Sequence, residues 1–183
     1  MLQKKILRRK YYELRKKKYF EINGEFFQPF IDLAKIKFKR KKLNIASYYP
    51  SNYEINVLKL FENKYIQKKN ILLPVIKRNN LMNFFLWKEK EVLFVNKFGL
   101  LEPIKTFVEI PDIMLVPILA FDKDKNRLGY GKGFYDRYLN KYLKKSTNIL
   151  TVGVAFSFQK YHKIPTGRND VKLNYILTEK GIY

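Results

Sequence analysis

The chain has 183 residues, 46% of them hydrophobic, which is enough for one domain with a core. It has no cysteine, so disulfides and cysteine-ligated zinc are excluded, as suits a cytoplasmic protein. Its net charge is +22; the basic start MLQKKILRRKYYELRKKK has no apolar stretch of the secretory kind, and the longest apolar run, Ile113–Phe121, is too short to span a bilayer. The charge admits nucleic-acid binding, attraction of acidic small ligands, or a base composition that favours Lys, Asn, Ile, Phe and Tyr. The lysines are scattered along the whole chain, so the compositional reading carries most weight.

Leu2–Lys18 predicts an amphipathic helix with Leu2, Ile6 and Leu14 toward the core and a basic face outward. Gly24–Lys37 predicts a second helix behind a turn, with Phe30, Leu33, Ala34 and Phe38 on its apolar side. Leu43–Tyr49 reads as a strand, Tyr49–Asn52 as a break and Tyr53–Tyr65 as a helix. Asn70–Ile76 is a strand whose Pro74 costs a ladder bond, which places it at a sheet edge or a strand end. Leu81–Trp87 and Glu91–Asn96 are strand-like, and Trp87, the only tryptophan, is assigned to the core before a ligand pocket. Ile113–Phe121 is long enough for a buried strand, and Phe134–Leu143 for a helix. Ile149–Phe156, ILTVGVAF, has the apolar character of a strand in a parallel sheet. Pro165–Asp170 is a loop and Asn174–Thr178 a last strand; His162, in the exposed-looking QKYHKIP, is read as non-catalytic. Helices alternating with apolar strands predict an α/β fold.

The most informative stretch lies between Phe121 and Phe134. Asp122–Asn126 is polar and turn-forming, and Gly129, Gly131 and Gly133 follow at alternate positions. Strand, glycine loop, helix is the order that cradles phosphates: glycine lets the backbone come close, and the helix N-terminus attracts an anion. Lys132 adds a cation, and Asp136 in the first helical turn is placed to hold Mg²⁺ against phosphates. No GxxxxGK(S/T) is present, and Phe134 breaks the dinucleotide pattern GxGxxG. Asp122, Asp124 and Asn126 imitate the start of an EF-hand, but Arg127 stands where that loop needs Gly and Gly133 where it needs Glu. Spacing alone leaves a phosphate cradle and a ligand-free turn both open.

The string AFDKDKNRLGYGKGFYDRYL, Ala120–Leu139, resembles the signature of the 5-formyltetrahydrofolate cyclo-ligase (methenyltetrahydrofolate synthetase) family. That signature has a Val-Pro, then Ala-Phe-Asp, Arg-Leu-Gly and Gly-x-Gly-aromatic-Tyr-Asp-Arg, and each piece is here. The similarity runs along nearly the full chain. Lys4, Leu7 and Arg8 match a Lys-x-x-Leu-Arg that contributes to the family's ATP site, with Lys5 and Arg9 as an alternative register. Lys4 and Arg8, one helical turn apart, could meet one phosphate group. Ser47–Glu54 resembles Ser-x-Tyr-x-x-x-x-Glu, which would face Tyr49 and Glu54 to the folate. A carboxylate there accepts paired N–H donors from a pterin ring; the bland alternative for Glu54 is an acid complementing a helix dipole. Phe98–Pro103, FGLLEP, matches Phe-Gly-Ile-x-Glu-Pro and reads as a turn with a structural role. Asp170, ahead of Leu173-x-x-Ile-x-Thr-Glu, is a second magnesium candidate, with Asn169 where His is more frequent.

The resemblance implies a three-layer α/β/α sandwich with a mainly parallel sheet, in a single domain spanning residues 1–183. It implies ATP- and Mg²⁺-dependent conversion of 5-formyltetrahydrofolate to 5,10-methenyltetrahydrofolate, through phosphoryl activation of the formyl oxygen and ring closure. ATP is expected at Lys4, Lys5, Arg8, Arg127, Leu128, Gly129, Tyr130, Gly131, Lys132, Gly133, Phe134 and Tyr135. The folate is expected at Tyr49, Glu54, Tyr130, Phe134 and Tyr135, and Mg²⁺ at Asp136 and Asp170. The chain is expected to act as a cytoplasmic monomer without a membrane partner. One rival is a basic RNA-binding module, but no RNP-like, KH or zinc-finger motif is present and the aromatics spread through predicted core strands. The other is a family member with an altered substrate.

Overall fold

The computed structural model describes residues 2–39, 42–143 and 148–183. In chain order it has α1 (Leu2–Lys18), a 3-10 turn at Gly24–Phe27 leading into α2 (Gln28–Lys37), β1 (Asn44–Ala46), and 3-10 turns at Val57–Glu62 and Ile66–Lys68. Then come β2 (Asn70–Ile76), β3 (Met82–Trp87), β4 (Leu93–Val95), β5 (Leu101–Pro103), β6 (Val108–Glu109), β7 (Ile113–Pro117), β8 (Ala120–Phe121) and β9 (Arg127–Leu128). The chain closes with α3 (Phe134–Leu143), β10 (Leu150–Val154), β11 (Tyr175–Thr178) and β12 (Gly181–Ile182).

Among the described residues the main sheet has eight strands in the order β12-β11-β10-β7-β1-β2-β3-β6. Every pair from β11 to β2 is parallel. At the edges β12, β3 and β6 add in antiparallel. Successive strand residues point to opposite faces, and the burial follows that alternation. Ile45, Leu73, Leu115 and Val152 pack with α2 and the 3-10 turns through Phe27, Phe30 and Leu60. Ala46, Leu72, Met114 and Ile176 pack on the other face against Tyr138, Leu139 and Tyr142 of α3. The result is the three-layer α/β/α sandwich with a mainly parallel sheet. No described helix is long and apolar enough to cross a membrane.

Helix α1 belongs to neither layer. Its Leu7 and Tyr11 pack on Leu119, Ala120, Leu128 and Ile164, over the β8–β9 hairpin beyond the end of β7. The expected inward face was different: Leu2 and Ile6 are 73% and 60% exposed, while Leu7, Tyr11 and Arg15 are buried and Leu14 is partly so. Both triplets have helical spacing. The buried one ends in an arginine, which hydropathy counts as surface.

The expected helix over Tyr53–Tyr65 is also corrected: one 3-10 turn, Val57–Glu62, lies in this segment, and a second, Ile66–Lys68, follows it. Asn56 accepts a hydrogen bond from the Leu58 N–H and Asn63 one from the Tyr65 N–H, at 3.2 and 2.9 Å. Such local side-chain bonds compete with a continuing helix. Pro74 lies inside the sheet, not at its edge, opposite Phe84. The β1 ladder reaches only Leu72, so Pro74 falls beyond it. The long apolar run from Ile113 ends as a strand at Pro117 and resumes as β8. Trp87 is a core residue, edge-on to Phe61 at 5.6 Å.

Candidate active site

The parallel strands end on one side of the sheet, and a cavity opens there. It holds about 420 Å³, within the range of small-molecule sites. Tyr49 follows β1, Pro74 and Ile76 end β2, and Pro117 ends β7; all line it. Carboxyl ends of strands are where open α/β sheets receive ligands, because the loops between strand and helix diverge there.

The glycine loop forms one wall, from Arg127 through Asp136. Gly131 adopts φ +100°, and a Cβ on it would lie 2.9 Å from Arg8 Cζ. Arg8 Nε in turn donates to the Gly129 carbonyl at 2.8 Å. Helix α1 therefore rests a cation directly on the loop. Lys4 joins it on the cavity wall and pairs with the Asp170 carboxylate. Lys4 and Arg8 line the cavity; Lys5 is exposed and does not. Lys132 also lines the wall, and α3 begins at Phe134 with first-turn N–H groups that no helical carbonyl can accept. Cations and N–H donors together favour an anion here.

Two carboxylates stand at the same wall. Asp136 accepts from Arg127 Nη2 at 2.6 Å and from the Val171 N–H at 3.0 Å, both on Oδ1. Asp170 accepts from the Gly167 N–H at 2.6 Å as well as from Lys4. Burial pushes its acidity down, but the Lys4 and Gly167 bonds outweigh this and hold its pKa below the usual value. Among the described residues no three His, Asp or Glu side chains gather as a metal cage.

The other side of the cavity has a buried polar centre. Glu54 is only 6% exposed. Its Oε2 accepts from the Ser51 N–H at 2.9 Å and the Ser51 hydroxyl at 3.3 Å, and its Oε1 from the Tyr130 hydroxyl at 2.8 Å. Burial raises its pKa, opposed first by the Arg15 charge and then by the Ser51 and Tyr130 bonds. The hydroxyls of Tyr130 and Tyr135 are shifted upward by burial and by Glu54, so both stay protonated donors. Around this centre lie Tyr49, Ile76, Met82, Leu100 and Leu101. The β4–β5 hairpin thus contributes to the site: Phe98 meets Phe134 edge-on at 5.9 Å, and Glu102 is anchored by the Ile76 N–H at 2.7 Å.

The structure brings Lys4, Arg8, Tyr49, Glu54, Asp170 and the whole stretch 127–136 to one cavity. Glu54 precedes the 3-10 turn at Val57–Glu62, so it is not a first-turn helix acid. His162 is exposed and does not line the cavity. Sequence reasoning missed Arg15, Ser51, Asn52 and the hairpin residues. For Arg15 the signal was its place on the Leu7–Tyr11 stripe; for the hairpin it was FGLLEP, read as structural only.

A parallel sheet with a glycine loop and convergent charges at its carboxyl edge defines an α/β protein with a cleft at the strand ends. The chain belongs to the 5-formyltetrahydrofolate cyclo-ligase family, which residues 4–179 match. It is 37% identical to a 5-formyltetrahydrofolate cyclo-ligase of Haemophilus influenzae over 76% of this chain and 77% of that one. A probable 5-formyltetrahydrofolate cyclo-ligase of Schizosaccharomyces pombe is 30% identical over 70% and 71%. The NMR structure of an Aquifex aeolicus 5,10-methenyltetrahydrofolate synthetase superposes with a TM-score of 0.75 at 31% identity, covering 100% of this chain and 92% of that chain. A Mycoplasma pneumoniae 5,10-methenyltetrahydrofolate synthetase shares the fold, with a TM-score of 0.69 at 23% identity over 95% and 97%.

Proposed function

We propose that this chain converts 5-formyltetrahydrofolate to 5,10-methenyltetrahydrofolate with consumption of ATP. The observation that carries the reading is one cavity with an anion-binding wall on one side and a buried carboxylate on the other. The triphosphate lies along Lys4, Arg8, Lys132 and the amides of the glycine loop. The pterin ring lies by Tyr49, with its N–H donors on Glu54. Phe134, Tyr130 and Tyr135 sit between the two halves.

The formyl oxygen is a poor leaving group. Transfer of the γ-phosphoryl group to it forms an O–P bond as the bond to ADP breaks. The second folate nitrogen then attacks the activated carbon and gives up its proton, and the C–O bond breaks to release phosphate, which carries that proton away. No protein nucleophile is required, so the chain's work is positioning and charge neutralisation. Phosphate on the formyl oxygen develops charge near Lys132 and the first turn of α3. Tyr135, protonated and buried at its hydroxyl, donates on the same side.

Asp136 and Asp170 fit Mg²⁺, which takes one or two carboxylates and completes its shell with phosphate oxygens and water. Bound there, Mg²⁺ neutralises phosphate charge. Asp136 Oδ2 has no partner among the described residues, and Asp170 is held ionised. The test is the absorbance of 5,10-methenyltetrahydrofolate when protein meets 5-formyltetrahydrofolate, with ATP and Mg²⁺ each present or omitted. A rise that needs both is expected. No rise from folded protein overturns the reading.

A further inference from the structure

Arg15 is 1% exposed, and the family's glycine loop and Lys-x-x-Leu-Arg element do not include it. Its guanidinium reaches three separate segments. Nη1 donates to the Ile118 carbonyl at 3.3 Å, beyond the end of β7. Nη2 donates to the Asn52 carbonyl at 2.7 Å and to the Tyr130 hydroxyl. The Tyr130 hydroxyl in turn donates a hydrogen bond to Glu54 Oε1 at 2.8 Å. A buried cation thus stands one hydroxyl away from a buried carboxylate, and no direct ion pair joins them among the described residues.

The segment that Arg15 grips is strained. Asn52 and Tyr53 have φ +49° and +61°, immediately before Glu54. Positive φ is uncommon for a bulky residue such as tyrosine and persists only where surrounding structure enforces it. Arg15 supplies that enforcement at the Asn52 carbonyl; the Ser51 bonds to Glu54 supply it from within the turn. The stripe Leu7–Tyr11–Arg15 therefore ends in a guanidinium that is neither surface decoration nor a phosphate ligand. It does not line the cavity.

We propose that Arg15 is a positioning residue for the ring-binding half of the site: through the Asn52 carbonyl and the Tyr130 hydroxyl it holds Glu54 aimed at the bound heterocycle. This rests on the cyclo-ligase reading for what the heterocycle is. The titratable groups facing Glu54 come from every side: Arg15 on α1, Tyr48 after β1, Tyr130 in the glycine loop and Tyr135 on α3. Arg15 is the one cation among them. Its removal leaves a desolvated carboxylate among tyrosine hydroxyls, and that carboxylate then takes a proton at higher pH.

The experiment compares Arg15→Met, Arg15→Lys and Tyr130→Phe with the unmodified protein. It measures kcat/KM for 5-formyltetrahydrofolate from about pH 5 to pH 9, where such limbs are read. In Arg15→Met the acid limb moves up by about one pH unit, a roughly tenfold loss on that limb. The loss falls on the folate KM, with kcat at saturation little changed. Arg15→Lys keeps the limb close to its original place, and Tyr130→Phe moves it the same way as Arg15→Met by a smaller step. A lowered melting temperature with the limb and KM unmoved in all three variants overturns the proposal. Should Arg15→Met not fold, the limb of Tyr130→Phe decides. Melting temperatures supply a readout free of activity: Arg15→Met/Glu54→Gln should melt above Arg15→Met, because the stranded charge has gone. An unmodified protein without turnover sinks the cyclo-ligase reading instead, and the melting comparison still judges the role of Arg15.

Discussion

Gly129 and Gly131 lie in the same loop under different constraints. Gly131 has φ +100° and faces Arg8 Cζ at 2.9 Å from where its Cβ would stand. Gly129 has no heavy atom within 4 Å of that point and an ordinary φ. Gly131→Ala should therefore cost about 1–3 kcal/mol through strain and displacement of Arg8. Gly129→Ala should stay within about 0.5 kcal/mol of the original stability. Thermal denaturation of the two variants checks this, and equal losses would show that Arg8 does not pack on the loop. The spacing of the glycines was visible in the sequence. Which of them is required was not, because that depends on a side chain from α1.

At the scale of elements, α1 shows how a correct helix was given the wrong face. Its bounds match the expectation, Leu2–Lys18. Its orientation is set by contacts with the β8–β9 hairpin, more than a hundred residues away in sequence, as the separation of 121 for Arg8 and Gly129 illustrates. Leu7→Ala should cost about 2–5 kcal/mol, the usual range for emptying a buried leucine site. Ile6→Ala, at an exposed position, should change stability by less than about 0.5 kcal/mol. Urea unfolding of both distinguishes the faces; a larger loss at Ile6 would restore the expected one. The failed helix at Tyr53–Tyr65 has a different origin. Its apolar residues are buried as helical periodicity suggests, Val57, Leu60 and Phe61 among them. Asparagine side chains close tight turns there instead, and local bonding defeats the longer helix.

For the whole molecule, we propose that the chain forms one domain. The two faces of one sheet carry the main apolar clusters, and the same strands contribute to both, as Ile45 and Ala46 do on β1. A third cluster ties α1 to the hairpin over the strand ends. Unfolding should then be a single transition by heat or denaturant. Trp87, 5% exposed in the first cluster, reports that core by fluorescence. Its transition should coincide with the loss of backbone circular dichroism. Separate midpoints would mean that α1 and the hairpin melt independently of the sheet. Of the cations on the cavity wall, Lys4 and Arg127 pair with Asp170 and Asp136.

By itself the sequence determined what short range can encode. Polar and apolar periods placed most strands and α3; glycine, lysine and aspartate at close spacing made Leu128–Asp136 a candidate phosphate cradle; and the long Ala120–Leu139 string pointed to the family. Each depends on residues within a turn or two of one another. The tertiary structure decided the rest, because the partners are remote. Tyr130 and Glu54 lie 76 positions apart, and Arg15 and Tyr130 lie 115 apart. Helical spacing puts Arg15 on the Leu7–Tyr11 stripe, but spacing alone does not say that this stripe is the buried one. Only folding buries its guanidinium while leaving Lys5 in water, because α1 can turn one stripe inward and the strand ends select which.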